Sequence, residues 1–214
     1  IILKFMTSIN LMPMAGKGKR FKKEKFLIHK PFIKINDNYM FLEASKCMPN
    51  ANKWIFIYKP ISKKKYNIEK QLPINLKKKT KVLYLKKNTL GQADTCLRAE
   101  KYINSNSSVF IHSCDNFISF DKQKYLKLIK KYDAIIFTTK PNKYHLNNIQ
   151  SFGWVSGKRN KIINIECKKE ASKKVINDYV IVGTFAFKNK KILFNSIRNI
   201  ISNKVKINQE YYLD

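Results

Sequence analysis

A chain of 214 residues with 44% hydrophobic content is long enough for one α/β domain with a sizeable core, and too apolar for a charged disordered tail. Its 44 Lys and Arg against 14 Asp and Glu leave a net charge of +30, a balance that often marks nucleic-acid partners. The basic residues run along the whole chain and are almost all lysine, the arginines being Arg20, Arg98, Arg159 and Arg198; compositional drift and solubility outweigh a nucleic-acid footprint, and nucleic acid is not expected as a partner.

The first predicted element is a strand over Ile9 to Ala15, INLMPMA. A helix follows near Met40 to Cys47, then strands over Lys53 to Tyr58 and Lys81 to Leu85, a helix over Asp94 to Ile103 and a strand over Val109 to Cys114. The next helix, Lys122 to Tyr132, places Tyr125, Leu126, Ile129 and Tyr132 on one face, and Ala134 to Thr139 is another strand. These strands are nearly continuous in hydrophobicity, as a sheet covered on both faces requires. The β-α-β-α-β rhythm predicts a three-layer α/β/α sandwich around a mostly parallel, Rossmann-like mixed sheet.

After Thr139 the rhythm changes. FGWVSGKRNKIINIECK reads as two strands around a turn at Gly157 to Asn160, DYVIVGTFAFK as a further strand, and KKILFNSIRNIISN as a helix. Leu193, Ile197, Ile200 and Ile201 form its apolar stripe. No linker or internal repeat divides the chain, so residues 1–214 read as one domain, expected to be cut short at the C-terminus. The opening residues lack a methionine, and Met6 is one candidate start.

Cys47, Cys96, Cys114 and Cys167 form no CxxC pair, and His29, His112 and His145 stand far apart. Zinc and a disulfide framework are therefore not expected; reduced thiols in the cytoplasm are. No apolar stretch reaches the ~20 residues a membrane span needs.

Chemistry concentrates in a few segments. Gly16 and Gly18 follow the first strand, where open α/β sheets bind ligands and bare backbone can approach phosphate oxygens. Phe21 stands where a dinucleotide fingerprint needs its third glycine, and no Gly-Lys-Ser/Thr follows for a Walker loop. Yet MAGKGKRF followed by KPFIKI resembles the signature of the sugar-phosphate nucleotidyltransferases, with His29 where that family usually carries proline. LGQADTCLRAEKYI resembles the family's helix opening against the nucleobase. VFIHSCDNFI resembles its strand ending in an aspartate, with Cys114 replacing the usual glycine. VIVGTFAFK and NQEYYLD are similar to its later glycine strand and acidic segment, so the likeness runs in order from Ile9 to Asp214.

The resemblance implies a Mg²⁺-dependent enzyme that joins an NTP to a sugar 1-phosphate, releases pyrophosphate and supplies surface polysaccharide synthesis. It implies catalytic roles for Arg20, Lys30 and Asp115, with Asp115 and Asp214 holding the metal. Ala15, Gly16, Gly18, Gly91, Gln92, Ala93, Gly183 and Glu210 would line the nucleotide and sugar sites. The physical reading of these residue types agrees. Arginine forks departing phosphates, a lysine places a compact charge on a reacting phosphoryl group, and carboxylates at strand ends suit Mg²⁺.

Each has a bland counterpart. Lys30 could be one more solvated lysine, Asp115 a turn residue and Gly183 the mark of a strand bulge, and Gln92 and Asp94 are as readily helix caps as nucleobase contacts. Glu166 and Lys168 lie where the family often has a Glu-Lys pair, but Cys167 interrupts it. A cytidylyltransferase for a non-sugar phosphate such as phosphocholine, and a non-catalytic basic nucleic-acid-binding domain, are the competing functions. Neither nucleobase nor sugar is selected by these residues.

Overall fold

A computed structural model describes residues 7–16, 28–59, 66–159 and 161–214. In chain order it has β1 (Ser8–Met14), a single 3-10 turn (Lys30–Phe32), a small hairpin of β2 (Lys34–Ile35) and β3 (Asn38–Tyr39), and α1 (Met40–Cys47). Next come β4 (Lys53–Tyr58), two short helices α2 (Ile68–Gln71) and α3 (Ile74–Lys77), β5 (Thr80–Tyr84), α4 (Gln92–Leu97) and β6 (Ser108–His112). The chain continues through α5 (Lys122–Lys131), β7 (Ala134–Thr139), α6 (Lys143–Asn147), β8 (Gly153–Lys158), β9 (Lys161–Cys167), β10 (Tyr179–Phe187) and α7 (Lys190–Ser202).

Eight strands make one mixed sheet in the order β5-β4-β1-β6-β10-β8-β9, with β7 also paired to β10. The first four are parallel; β10 is antiparallel to β6, β7 and β8, and β8 to β9. One sheet face packs Leu11, Ile57, Ile111 and Phe185 against Ala93 and Cys96 of α4 and Leu193, Phe194 and Ile197 of α7. The other packs Met12, Phe56 and Phe110 against Phe41 of α1 and Tyr125 and Ile129 of α5. The expected three-layer architecture is therefore present.

The strand order contains a switch. From β1 the chain steps outward to β4 and β5, then returns to place β6 on β1's other side. Open α/β sheets form a ligand crevice at the carboxyl ends of strands flanking such a reversal. Pro13 helps to open it. Thr7 C=O accepts from Ser108 N–H on β6, and Ser8 C=O from Asn52 N–H on the β4 side (both 3.0 Å). The alternation makes odd residues of β1 face β6, so the N–H that Pro13 lacks is one that would have faced β6. The β1–β6 ladder stops at the Leu11↔Ile111 pair, whereas the β1–β4 ladder runs on to Met14↔Tyr58. A proline inside a central strand is tolerated here because one of its two neighbours has already left.

Several expectations are refined. The Asp94–Ile103 helix is only α4 plus a separate 3-10 turn at Glu100–Tyr102. On α5, Tyr125 and Ile129 are buried, but Leu126 and Tyr132 are 51% and 40% exposed, because a single i,i+4 pair is all that reaches the sheet. On α7, Leu193 and Ile197 are fully buried and Ile200 and Ile201 pack at the margin of the same core. Ile197→Ala should cost about 2–5 kcal/mol, the range for deleting a large buried aliphatic side chain, measured by urea denaturation; a loss below half of that would place α7 outside the core.

Candidate active site

Pro31 fixes the backbone of the turn at Lys30–Phe32, and Phe32 is buried against the rings of Tyr39, Phe41, Tyr58 and Tyr66. His29, in the position of the family's proline, meets Tyr58 Oη through Nδ1 at 3.1 Å and lies with its ring 4.8 Å from that of Tyr66. This aromatic anchor fixes the base of Lys30, whose ammonium pairs with Asp115 Oδ2. Their side chains are 23% and 31% exposed, so solvent and small ligands can reach both.

Asp115 stands just past β6, on the crevice side where Ala15 and Gly16 end β1. Among the described residues, nothing lies within 4 Å of a Cβ added at Gly16. Gly16 and Asp115 thus follow the carboxyl ends of neighbouring parallel strands, and Lys30 pairs with Asp115. Gly18 and Arg20 lie outside the described residues.

The second carboxylate arrives by way of β10. A strand has two edges, and β7 runs along one from Val180 to Phe187. Both β6 and β8 must use the other, β6 pairing from Thr184 onward and β8 at Tyr179 and Val180. Ile181, Val182 and Gly183 form the gap between them. Ser113 N–H donates to Gly183 C=O (3.2 Å) and Asn116 Nδ2 to Val182 C=O (2.6 Å), fixing the Asp115 turn to this gap. The Asp214 carboxylate lies against Gly153 of β8, the neighbour of Ile181: a Cβ at Gly153 would collide with it and come within 3.1 Å of Ile181 Cδ1. Gly183 itself has φ +65°, and a Cβ there would lie 3.1 Å from both Ser113 Oγ and Asn116 Nδ2. The glycine permits a left-handed kink that seats the turn, and the β10–β7 register shifts between Ile181 and Phe185, as the bulge reading of this glycine expected.

Gly91 and Ala93 meet the chain's own C-terminal segment. Gly91 has φ +103°, with Tyr211 backbone atoms where a Cβ would stand; Ala93 N–H donates to Tyr211 C=O (3.0 Å), and Tyr211 N–H to Leu90 C=O (2.7 Å). Gln92 opens α4, half-buried. Asp94 takes the local role of its two expected ones, accepting from Leu90 N–H (2.8 Å) and pairing with Arg98. The Glu210 carboxylate accepts from Tyr212 Oη (2.9 Å). Glu166 pairs at the surface with Lys169 (2.9 Å), while the Lys168 ammonium lies 5.1 Å from the centre of the Tyr212 ring.

Burial dominates the electrostatics of the second carboxylate. It raises the Asp214 pKa above the ordinary carboxylate value, and it pushes the Cys167 thiol up to about 12, with help from the neighbouring Asp214 charge. Among the described residues no cluster of three or more His, Cys, Asp or Glu could hold a metal. Asp115 and Asp214 are carboxylates, the hard oxygen donors that Mg²⁺ takes one or two at a time while water and phosphate complete its shell. Sequence reasoning missed the residues that frame Asp115, namely His112, Asn116 and Thr184; the signal was a histidine in an otherwise apolar, wholly buried strand.

This fold has solved counterparts. A nucleoside-diphosphate-sugar pyrophosphorylase from Vibrio cholerae matches 95% of this chain and 84% of its own, with TM-score 0.72 and 16% identity. A UDP-glucose pyrophosphorylase complexed with UDP-glucose matches 90% and 80%, with TM-score 0.65 and 20% identity. An inositol-1-phosphate CTP transferase from T. maritima matches 92% and 82%, with TM-score 0.64 and 14% identity. No protein-family model matches the chain, and no curated protein matches it in sequence. The chain thus shares the fold of these structures, whose own descriptions are of sugar-nucleotide pyrophosphorylases and a CTP transferase. Among the described residues no helix is long and apolar enough to cross a membrane.

The raised Asp214 pKa has a definite sign in stability. The unfolded carboxylate ionises near its ordinary value of about 3.9 and the buried one only at higher pH, so the folded state loses stability as pH rises between the two. In metal-free buffer, Asp214→Asn should match the parent below about pH 4 and exceed it in stability at neutral pH, read from urea melts across that range. Equal destabilisation at every pH would contradict the assignment.

Proposed function

We propose that this chain is a nucleotidyltransferase that joins an NTP to a sugar 1-phosphate or a closely related phosphorylated acceptor and releases pyrophosphate. The observation that carries the reading is the Lys30–Asp115 pair at the switch crevice, with Gly16 following the parallel neighbour of the strand that precedes Asp115. A placed lysine, a carboxylate and bare backbone at that edge are what phosphate binding and phosphoryl stabilisation need.

In this reading Lys30 carries a compact charge to the phosphate oxygens that gain charge as the α-phosphate is attacked in line. Gly16 lets backbone N–H groups approach the phosphates, and Arg20 would fork the departing pyrophosphate. Asp115 and Asp214 would hold Mg²⁺, which when bound neutralises and orients phosphate oxygens. The C-terminal segment contributes Glu210, held by Tyr212, as an acceptor for a sugar hydroxyl. Supply of a precursor for surface polysaccharide, in the cytoplasm, is the setting we propose for this product. An inositol phosphate or another non-sugar phosphate remains a second acceptor class, favoured by the fold likeness to the inositol-1-phosphate CTP transferase.

The test is pyrophosphate release over four NTPs, each with a panel of sugar 1-phosphates and other phosphomonoesters, with and without Mg²⁺. Lys30→Ala should lower kcat by about 100- to 1000-fold, the loss typical of one preorganised charge donor. Lys77, Lys78 and Lys79, all exposed at the end of α3, should tolerate joint replacement by serine with less than about threefold change, since salt screens such charges. Equal losses in both variants, or salt-sensitive binding to random DNA with no pyrophosphate release from any pair, would reject the reading.

A further inference from the structure

The carboxylate of Asp115 is carried on a turn, and turns do not hold a side chain still unless something else does. Here the turn is tied down by the fully buried His112 and Thr184 and the half-buried Asn116. His112, the last residue of β6, is fully buried. Its Nε2 lies 2.9 Å from Asn116 C=O and its Nδ1 2.7 Å from Thr184 Oγ1 on β10. A carbonyl only accepts, so Nε2 bears the proton and donates to Asn116. The Thr184 hydroxyl lies 2.7 Å from Nδ1 and 3.4 Å from Val182 C=O, so Nδ1 accepts from it in the shorter contact, a neutral tautomer in keeping with the burial that lowers the His112 pKa. The Asn116 amide donates to Ser113 Oγ (2.9 Å) and to Val182 C=O (2.6 Å), closing the loop from the other side. The left-handed Gly183 makes the room that this loop occupies.

Asp115 thus sits between two fixed points. The imidazole of His112 bridges from β10 to the backbone of Asn116, one residue beyond Asp115, and the Asn116 side chain bridges back to β10. Both ring nitrogens of His112 and the Asn116 amide have hydrogen-bond partners here, and satisfied buried networks rigidify what they enclose. The aromatic anchor below His29 does the same for Lys30. The pair therefore meets because both ends are held, not because two mobile surface groups attract.

We infer that His112, Asn116 and Thr184 are positioning residues that fix the Asp115 carboxylate against Lys30 and toward the crevice. The inference rests on the proposed function for its consequence in turnover, but its geometric content can be read without activity. The chemistry asks for a hydrogen-bond donor facing Asn116 C=O, an acceptor facing Thr184, and an amide facing Val182 C=O. His112→Gln keeps the donor and disturbs the acceptor, His112→Phe removes both, Asn116→Ala removes the amide, and Thr184→Ser keeps the hydroxyl that Thr184→Val deletes.

The experiment pairs two readouts on these variants. The first is the carbon-13 chemical shift of the Asp115 carboxylate and the exchange rate of the Lys30 ammonium protons by NMR. In Asn116→Ala the carboxylate signal should move toward that of a solvated aspartate and the ammonium exchange should accelerate, while Thr184→Ser stays as the parent. The second is the kcat, the KM for NTP and the Mg²⁺ concentration for half-maximal pyrophosphate release. Asn116→Ala and His112→Phe should lower kcat or raise the Mg²⁺ requirement by about 10- to 100-fold with KM for NTP nearly unchanged, and His112→Gln should recover part of the loss. Folded Asn116→Ala and Thr184→Val with parental Asp115 and Lys30 signals would overturn the inference. A parent protein that releases no pyrophosphate would reject the proposed function instead, with the NMR signals still deciding the positioning role. Should Asn116→Ala fail to fold, the Thr184→Val and Thr184→Ser pair carries the same comparison.

Discussion

A missing hydrogen-bond donor shapes the candidate site. Pro13 lies on a strand buried between two parallel neighbours, and the N–H it lacks would face β6, just where the β1–β6 ladder ends. Continued pairing would have joined the carboxyl ends of β1 and β6 into flat sheet. Their parting instead leaves the edge into which Gly16, Lys30 and Asp115 converge, and the ladder to β4 continues undisturbed on the other side. The crevice is a consequence of topology, and the proline keeps that topology from costing a buried, unpaired donor.

β10 works as the alignment bar of the second half. With β7 on one edge and β6 and β8 sharing the other, it brings a turn after β6 and the C-terminal segment to the same stretch of backbone. The kink at Gly183 and the small residue at Gly153 are the two concessions this requires: one seats Asn116 and Ser113, the other admits the Asp214 carboxylate. The site is in this sense long-range, built from residues about 100 positions apart in sequence and assembled only when the antiparallel strands close.

That division explains what was legible beforehand. Apolar runs and their lengths identify β1, β4, β6 and β7 within a residue or so, because strands covered on both faces must be continuously hydrophobic. Helices α1 and α7 follow from periodicity, and Lys30 and Asp115 stand out through motif context. Placement of β10 between β6 and β8 is set by pairing, which no local pattern encodes. For the same reason the sequence offered Gly183 as a bulge or a ligand approach without choosing, and it offered Asp94 as a base contact although Leu90 and Arg98 occupy its carboxylate. The exposed Leu126 and Tyr132 show a further limit, since apolar residues on a helix face are not obliged to reach the core.

The high positive charge also finds its place in this account. The lysines of α3 and α5 are exposed and spread, whereas Lys30 has a buried aromatic base and a fixed acidic partner. In the proposed function a placed lysine at the switch crevice, and not bulk basicity, receives nucleotide phosphates. Paramagnetic broadening by a Mn²⁺–nucleotide complex tests it directly. Amide signals of Gly16, Lys30, Ser113 and Asn116 should broaden first, with those of Lys77 to Lys79 and Lys122 to Lys131 unaffected at the same concentration. Broadening that begins on α3 or α5 and spares the crevice would contradict it.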